Sequence, residues 1–500
     1  MLLQELIRRI PGLAIEVDPQ VRIRGISYDS RRVAAGDLFI AIKGEKTDGA
    51  LYVQEAVARG AVAVAVDRDV ALGPAFPVLV VPDARKFLAE ASCALFSDPA
   101  SRFQLVGITG TNGKTTTSYL VDAIFRRAGL RSCAIGTIEM RIGDQLFPST
   151  HTTPEASDLT AFLDQALRAG CTHGTLEVSS HALILKRVYG VHFSVGVFCN
   201  LTPEHLDFHH DMESYYQAKR ILFTEEGANS VRFAVINADD TYGQRLMSEV
   251  LITTVSYGFA TNADVRVLDS RLRMDGTSLH LATAYGELHI ETRLVGRTNI
   301  YNIMAAVGAT LSLGISLQHV REGIESLSGV PGRLELVRCG QDFTVIVDYA
   351  HTPDALEKLL LTVRQLTDGR MITVFGCGGD RDRKKRPMMG VIATRLSDFV
   401  VATSDNPRSE DPLRILAEIE PGLKQGRAPY RLLPDRREAI RTALAMARKD
   451  DVVLLAGKGH ENHQWIGTQS FSFDDRVVAQ ELIHELRNAQ GDRDCGELHQ

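Results

Sequence analysis

The residues best suited to chemistry lie in 104–120, QLVGITGTNGKTTTSYL. Gly110, Thr111, Asn112, Gly113, Lys114, Thr115 and Thr116 sit between a short apolar run and an amphipathic one, so a tight glycine turn should join a buried strand to a helix. Backbone N–H groups at such a turn, with the helix N-terminus behind them, form an anion site. Lys114 is placed to reach the β- and γ-phosphates of a nucleotide, and the Thr115 hydroxyl to ligate Mg²⁺. The longer eight-residue phosphate-loop pattern is not met, because its first glycine would fall on Ile108. A second cluster, NLTPEHLDFHHDMESYYQAKRILF (200–223), gathers His205, His209 and His210 with acidic residues just after an apolar run. These histidines have no companion thiolates, so Mg²⁺ with oxygen ligands is expected in preference to zinc. Two further stretches, GCGGDRDRKKRPMM (376–389) and TSDNPRSEDP (403–412), place arginines beside glycine-exposed backbone. Asp405 and Arg408 in one loop could take the ammonium and the carboxylate of an amino acid together.

The elements needed to position these groups follow from the apolar periodicity, which predicts an α/β protein of three domains with boundaries near 1–99, 100–330 and 331–500. In the first, strands within 21–42 joined by a turn at Ala35-Gly36-Asp37, helix 50–59, strand 61–66, strand 78–81 and helix 84–96 form a small αβ unit. Strands and helices then alternate from 104 to 236, which implies a mostly parallel central sheet of the phosphate-loop ATPase type, with Glu177 and the loop after Cys199 at the carboxyl ends of its strands. Turns at Asp275-Gly276 and Tyr285-Gly286 mark an antiparallel part between 251 and 295. After the linker GVPGR (329–333), a third, Rossmann-like pattern runs from strand 343–348 to strand 451–456.

Composition sets limits. The chain has 500 residues, is 44% hydrophobic and carries a formal net charge of −6, so no nucleic-acid or membrane-surface partner is expected. Seven cysteines without C-x-x-C spacing should be buried free thiols. No apolar run reaches the length of a membrane span, and the charged N-terminal pattern is not that of a signal peptide, so a cytoplasmic protein working as a monomer is expected.

GTNGKTT (110–116), EVSSHAL (177–183), NLTPEHLDFH (200–209), GRTNIYN (296–302), PGRLE (331–335), DYAHTP (348–353), GCGGDRDR (376–383), DNPR (405–408) and GKGHE (457–461) together resemble the Mur ligase family. The resemblance spans all three domains in order. It implies a UDP-sugar domain, a central ATPase domain and a C-terminal domain for the incoming amino acid. The reaction it implies is ATP-dependent addition of meso-2,6-diaminopimelate to the D-glutamyl side-chain carboxylate of UDP-N-acetylmuramoyl-L-Ala-D-Glu through an acyl phosphate, a step of peptidoglycan synthesis. A lysine-adding member and folylpolyglutamate synthase are the alternatives. By the same resemblance, Tyr28, Ser30, Glu45, Lys46 and Thr47 contact the UDP end, and Thr152, Thr153, Ser179 and Arg187 the muramoyl-peptide. Lys219 should be an N-carboxylated lysine that ligates Mg²⁺ with Thr115, Glu177 and His205. Asn299, Arg333 and Asp348 join residues 110–116 around ATP. Diaminopimelate falls to Arg381, Asp405, Asn406, Pro407, Arg408, Gly457 and Glu461, with both arginines on its distal carboxylate and Glu461 on its distal ammonium. Leu185 and Ala50-Leu51 depart from residues common in the family.

Overall fold

The computed structural model describes all residues except 14, 45, 46, 69, 71, 73–75 and 498–500, and the side chains up to residue 488. The described strands form three large sheets in chain order and one two-stranded hairpin. The first has four parallel strands, Gly25–Ser27, Asp37–Ile40, Ala63–Val66 and Val78–Val80. Its first two strands are not joined by a simple turn: Asp37 already opens the second strand, and a 3-10 turn, Ser30–Arg32, carries the chain back to the parallel start. Helix Ala84–Phe96 covers the sheet with Phe87, Leu88 and Ala91 inward.

The central sheet has eleven strands. Gln104–Thr109 lies between His192–Phe198 and His173–Glu177, all parallel. From this strand the chain first builds one side of the sheet, returning inward to His173–Glu177, and then crosses to the other side at His192–Phe198, so a crevice opens at its carboxyl end, where the phosphate loop begins. The antiparallel part is a meander of Val265–Arg273, Gly276–Thr283 and Gly286–Thr292. A second hairpin, Glu139–Ile142 with Gln145–Pro148, extends the opposite edge and had no clear sequence signal. Helices cover both faces. Lys114–Arg127 and Arg297–Ser312 share one apolar layer with Val106 and Ile108, and Ala156–Arg168 and Met212–Arg220 share the other with Leu105 and Phe198.

The third sheet has five parallel strands and one antiparallel edge strand, Glu335–Val337. Its middle strands, Val452–Ala456, Met371–Cys377 and Phe399–Ser404, are buried at every residue but the half-buried Phe399, as two-sided burial requires. The strand Tyr430–Leu433, the hairpin His463–Ile466 with Gln469–Ser472, and the helix Asp475–Glu497 complete the domain. The cysteine expectation needs correction: Cys133, Cys171, Cys199 and Cys377 are buried free thiols, but Cys93 and Cys339 are only half-buried. Cys495 lies beyond the described side chains. Among the described residues no helix is long and apolar enough to cross a membrane.

Candidate active site

The phosphate loop is shaped by contacts that exclude larger residues. Gly110 has φ +152°, and a Cβ there would stand 2.8 Å from that of Cys199; Gly113 has φ +92° and faces the Asn302 side chain. Asn200, just after strand His192–Phe198, braces the turn from both sides, since its Oδ1 accepts from the Asn112 N–H at 2.9 Å and its Nδ2 donates to the Asn112 carbonyl at 3.1 Å. Lys114 folds back over the loop and donates to the Gly110 and Thr111 carbonyls at 2.8 and 2.9 Å. A long flexible ammonium hydrogen-bonded to two carbonyls can exchange them for phosphate oxygens.

Lys219 approaches the same loop from behind. It is 1% exposed on helix Met212–Arg220, and its Nζ donates to the Gly110 carbonyl at 2.9 Å. Burial pushes its ammonium well below the usual lysine range, and the charge of Lys114 adds to the effect. The shift favours the uncharged, nucleophilic amine over the ammonium. Glu177, 1% exposed at the end of its strand, accepts from the hydroxyls of Thr115 at 2.9 Å and Thr137 at 3.0 Å and from the Thr137 N–H at 2.9 Å. His205 keeps 46% of its side chain exposed, and its partial burial in the cavity wall pushes it down to about 4 against the opposing charge of Glu204, so its imidazole is neutral near pH 7. His209 turns inward to Ser180 at 2.9 Å, whereas His210 is exposed, so the three histidines do not act as one cluster.

A cavity of about 470 Å³ opens over the loop, with Thr111 to Thr116, Glu177 and His205 on its central-domain side and Arg333, Asp348 and His351 on the C-terminal side. Asn299 lines it too, fixed by donation to the Val295 carbonyl at 2.8 Å and by Asn302, which donates to it at 3.0 Å. The Arg333 guanidinium lies 4.9 Å over the Tyr349 ring, and its buried Nε has no hydrogen-bond partner among the described residues. Asp348 accepts from the N–H groups of Leu334 and Ala350, and burial pushes its carboxyl up. Asp354 of helix Pro353–Arg364 joins the two domains by accepting from Thr202 Oγ1 at 3.0 Å and Asn112 Nδ2 at 3.3 Å.

Next to Glu177, Thr153 donates to the Glu177 carbonyl at 2.7 Å and accepts from the Ser179 N–H at 3.1 Å, while Thr152 meets Thr137 at 3.1 Å. Arg187 donates to the Thr153 carbonyl at 3.1 Å and to Glu155 at 3.0 Å. Arg85, from the first domain, reaches the same Glu155 at 3.2 Å. Two guanidiniums thus share one carboxylate, which leaves an excess positive charge for an anion. Tyr28 and Ser30 contact Asp158 and Glu55, and Thr47 is exposed; Glu45 and Lys46 lie outside the described residues.

The last group forms where three adjacent strands of the third sheet end. Arg408 donates to the Gly379 carbonyl at 2.8 Å, and a Cβ on Gly378 would lie 2.9 Å from the Arg408 guanidinium and 3.7 Å from Arg381 Cγ, so both arginines flank that glycine. Pro407 holds the loop against Gly379. Asn406 Nδ2 donates to Glu461 at 2.7 Å, and the buried Lys458 donates to Glu461 at 3.2 Å. Asp405 Oδ2 is buried without a hydrogen-bond partner among the described residues and faces Gly457.

Sequence reasoning did not single out Arg85, Thr137, Glu155, Lys458, or Glu204, whose Oε2 lies 4.0 Å from His205 in the cavity wall. Glu204 stands in a quoted stretch beside His205 and could have been named from it. Arg85 could not, because only the fold brings the first domain to Glu155.

The fold and cleft define a three-domain phosphate-loop protein whose C-terminal domain closes the nucleotide-sized cavity of the central one. Residues 22–94 match the Mur ligase family catalytic domain, 108–310 the Mur ligase middle domain, and 332–459 the Mur ligase glutamate ligase domain. The chain belongs to the Mur ligase family. It is 44% identical over 491 residues to the UDP-N-acetylmuramoyl-L-alanyl-D-glutamate--2,6-diaminopimelate ligase of Geobacillus thermodenitrificans (strain NG80-2), covering 97% of this chain and 100% of the relative. A solved structure of a ligase of that name superposes with a TM-score of 0.69 at 33% identity, covering 97% of this chain and 99% of the other. Folylpolyglutamate synthase of Mycobacterium tuberculosis, solved with ADP and AMPPCP, shares the fold at a TM-score of 0.61 and 18% identity, but over 74% of this chain and 92% of its own.

Proposed function

We propose that this chain joins 2,6-diaminopimelate to the D-glutamyl side-chain carboxylate of UDP-N-acetylmuramoyl-L-Ala-D-Glu at the expense of ATP. The observation that carries this reading is the loop of Asp405 and Arg408, where a buried Asp405 oxygen has no hydrogen-bond partner among the described residues and Arg408 with Arg381 flanks Gly378, in a chain that also has a phosphate-loop cavity. An amino acid with an ammonium and a carboxylate at its far end would satisfy both halves. Asp405 and Glu461 would share the ammonium, since Asn406 and Lys458 both donate to Glu461 Oε2 and leave its Oε1 open among the described residues.

In the first step the terminal phosphoryl group passes from ATP to the D-glutamyl carboxylate, giving ADP and an acyl phosphate. Lys114 leaves the loop carbonyls to follow the phosphoryl charge, and the loop N–H groups hold the remaining phosphates. Asn299, Arg333 and Asp348 would hold the nucleotide, and the free Arg333 Nε is a donor for it. The excess charge of Arg85 and Arg187 over Glu155 would bind the acidic peptide, with Thr152, Thr153 and Ser179 beside it, while Tyr28, Ser30 and Glu45 to Thr47 belong to the UDP end. The diaminopimelate amine then attacks the acyl carbon, loses a proton, and phosphate leaves as the amide forms.

The donor set suits Mg²⁺. The Thr115 hydroxyl and the Glu177 carboxylate are hard oxygen donors already 2.9 Å apart, with a neutral His205 in the same cavity wall. In its uncharged form, which burial favours, Lys219 would take up CO₂ to form a carbamate, with one N–C bond made and one proton lost, and so add a further oxygen donor. Bound there, Mg²⁺ would neutralise charge on the phosphate oxygens.

Arg408→Ala tests the pocket. The specificity constant for diaminopimelate should fall by ~10²-fold or more, as for a lost contact to a charged group, while the KM for ATP stays within about twofold of wild type. Equal losses for the amino acid and for ATP would remove the loop 405–408 from amino-acid recognition.

A further inference from the structure

Away from the cleft, at the edge of the central sheet, the hairpin Gly276–Thr283 with Gly286–Thr292 carries a group the ligase reaction does not use. His280 and His289 are direct cross-strand partners, and their rings stack with centroids 3.8 Å apart at 20°. Directly paired residues of an antiparallel ladder project from the same face, as do residues two apart on one strand. Glu287 therefore stands beside His289, and its carboxylate meets His280 Nε2 at 2.9 Å. One ligand atom from each of the three lies within 4.8 Å of the others. The next strand adds Asp269 opposite His280.

We propose that His280, Glu287 and His289 form a binding site for a divalent transition-metal ion of the Zn²⁺ class. Two imidazoles and one carboxylate fit the ligand preference of such ions, and Mg²⁺, which demands oxygen donors, is a poor occupant. The strand backbones fix the three Cα positions, so only side-chain torsions need to turn to bring the donors onto one ion, with water completing the shell. An ion bound there would tie the two outermost strands of the sheet together.

The test is calorimetric titration of the full chain with Zn²⁺ in excess Mg²⁺. Wild type should bind one Zn²⁺ per chain more than the His280→Asn/His289→Asn double variant. Glu287→Gln, which keeps both rings, should weaken that site by ~10-fold or more. Both variants should form the amide at the wild-type rate with Mg²⁺ alone, which also shows that they are folded. Equal Zn²⁺ stoichiometry in wild type and double variant, or an unchanged affinity in Glu287→Gln, would overturn the proposal.

Discussion

Lys219→Ala is expected to abolish amide formation while the protein stays folded and still binds ATP. The substitution removes a side chain that, with Lys114, donates to the Gly110 carbonyl of the phosphate loop. If the role of Lys219 were only that hydrogen bond, the loss would be modest, about 1 kcal/mol. If it supplies a carbamate oxygen to the metal, the loss removes a ligand, and small carboxylates should partly restore turnover by entering the space that the side chain leaves. The measurement is phosphate release by Lys219→Ala with and without added formate or acetate. Near-wild-type turnover without rescue would contradict the carbamate role.

Lys114→Ala should lower the turnover number by about three orders of magnitude or more, as expected when a charge contact to the moving phosphoryl group is lost. Its two carbonyl partners belong to its own loop and lose little when it is removed. Thermal unfolding of the variant should therefore match wild type. A folded variant with unchanged turnover would reduce residues 110–116 to a structural turn.

The phosphate loop was legible because its geometry is local: glycine at positive φ, an apolar strand before it and a helix after it leave few alternatives. The third domain was legible for a similar reason, since strands buried on both faces read as unbroken apolar runs. Pairing was harder to see. The hairpin 139–148 is mostly polar or half-exposed and carries little periodicity. Lys219 shows the clearest gap between composition and structure. Composition does not distinguish the lysine of YYQAKR from a surface one, and Tyr215, Tyr216 and Ala218, all buried on that helix, share its inward face. The resemblance named its role; the depressed ammonium supplies a physical reason for it. The charge balance at Glu155 was not visible at all, because Arg85 of the first domain joins the Glu155–Arg187 pair only when the first two domains dock.

The central claim, a ligase specific for diaminopimelate, is tested most directly by ATP-dependent phosphate release from the wild-type chain with UDP-N-acetylmuramoyl-L-Ala-D-Glu and a panel of amino acids. Lysine leaves Arg408 and Arg381 without a distal carboxylate, and a site built around polar partners penalises an analogue that lacks them. The account predicts release only when both the UDP-muramoyl-dipeptide and an amino acid are present, with a specificity constant for meso-diaminopimelate about 10³-fold or more above that for lysine. Release without the dipeptide, or comparable constants for lysine and diaminopimelate, would contradict it.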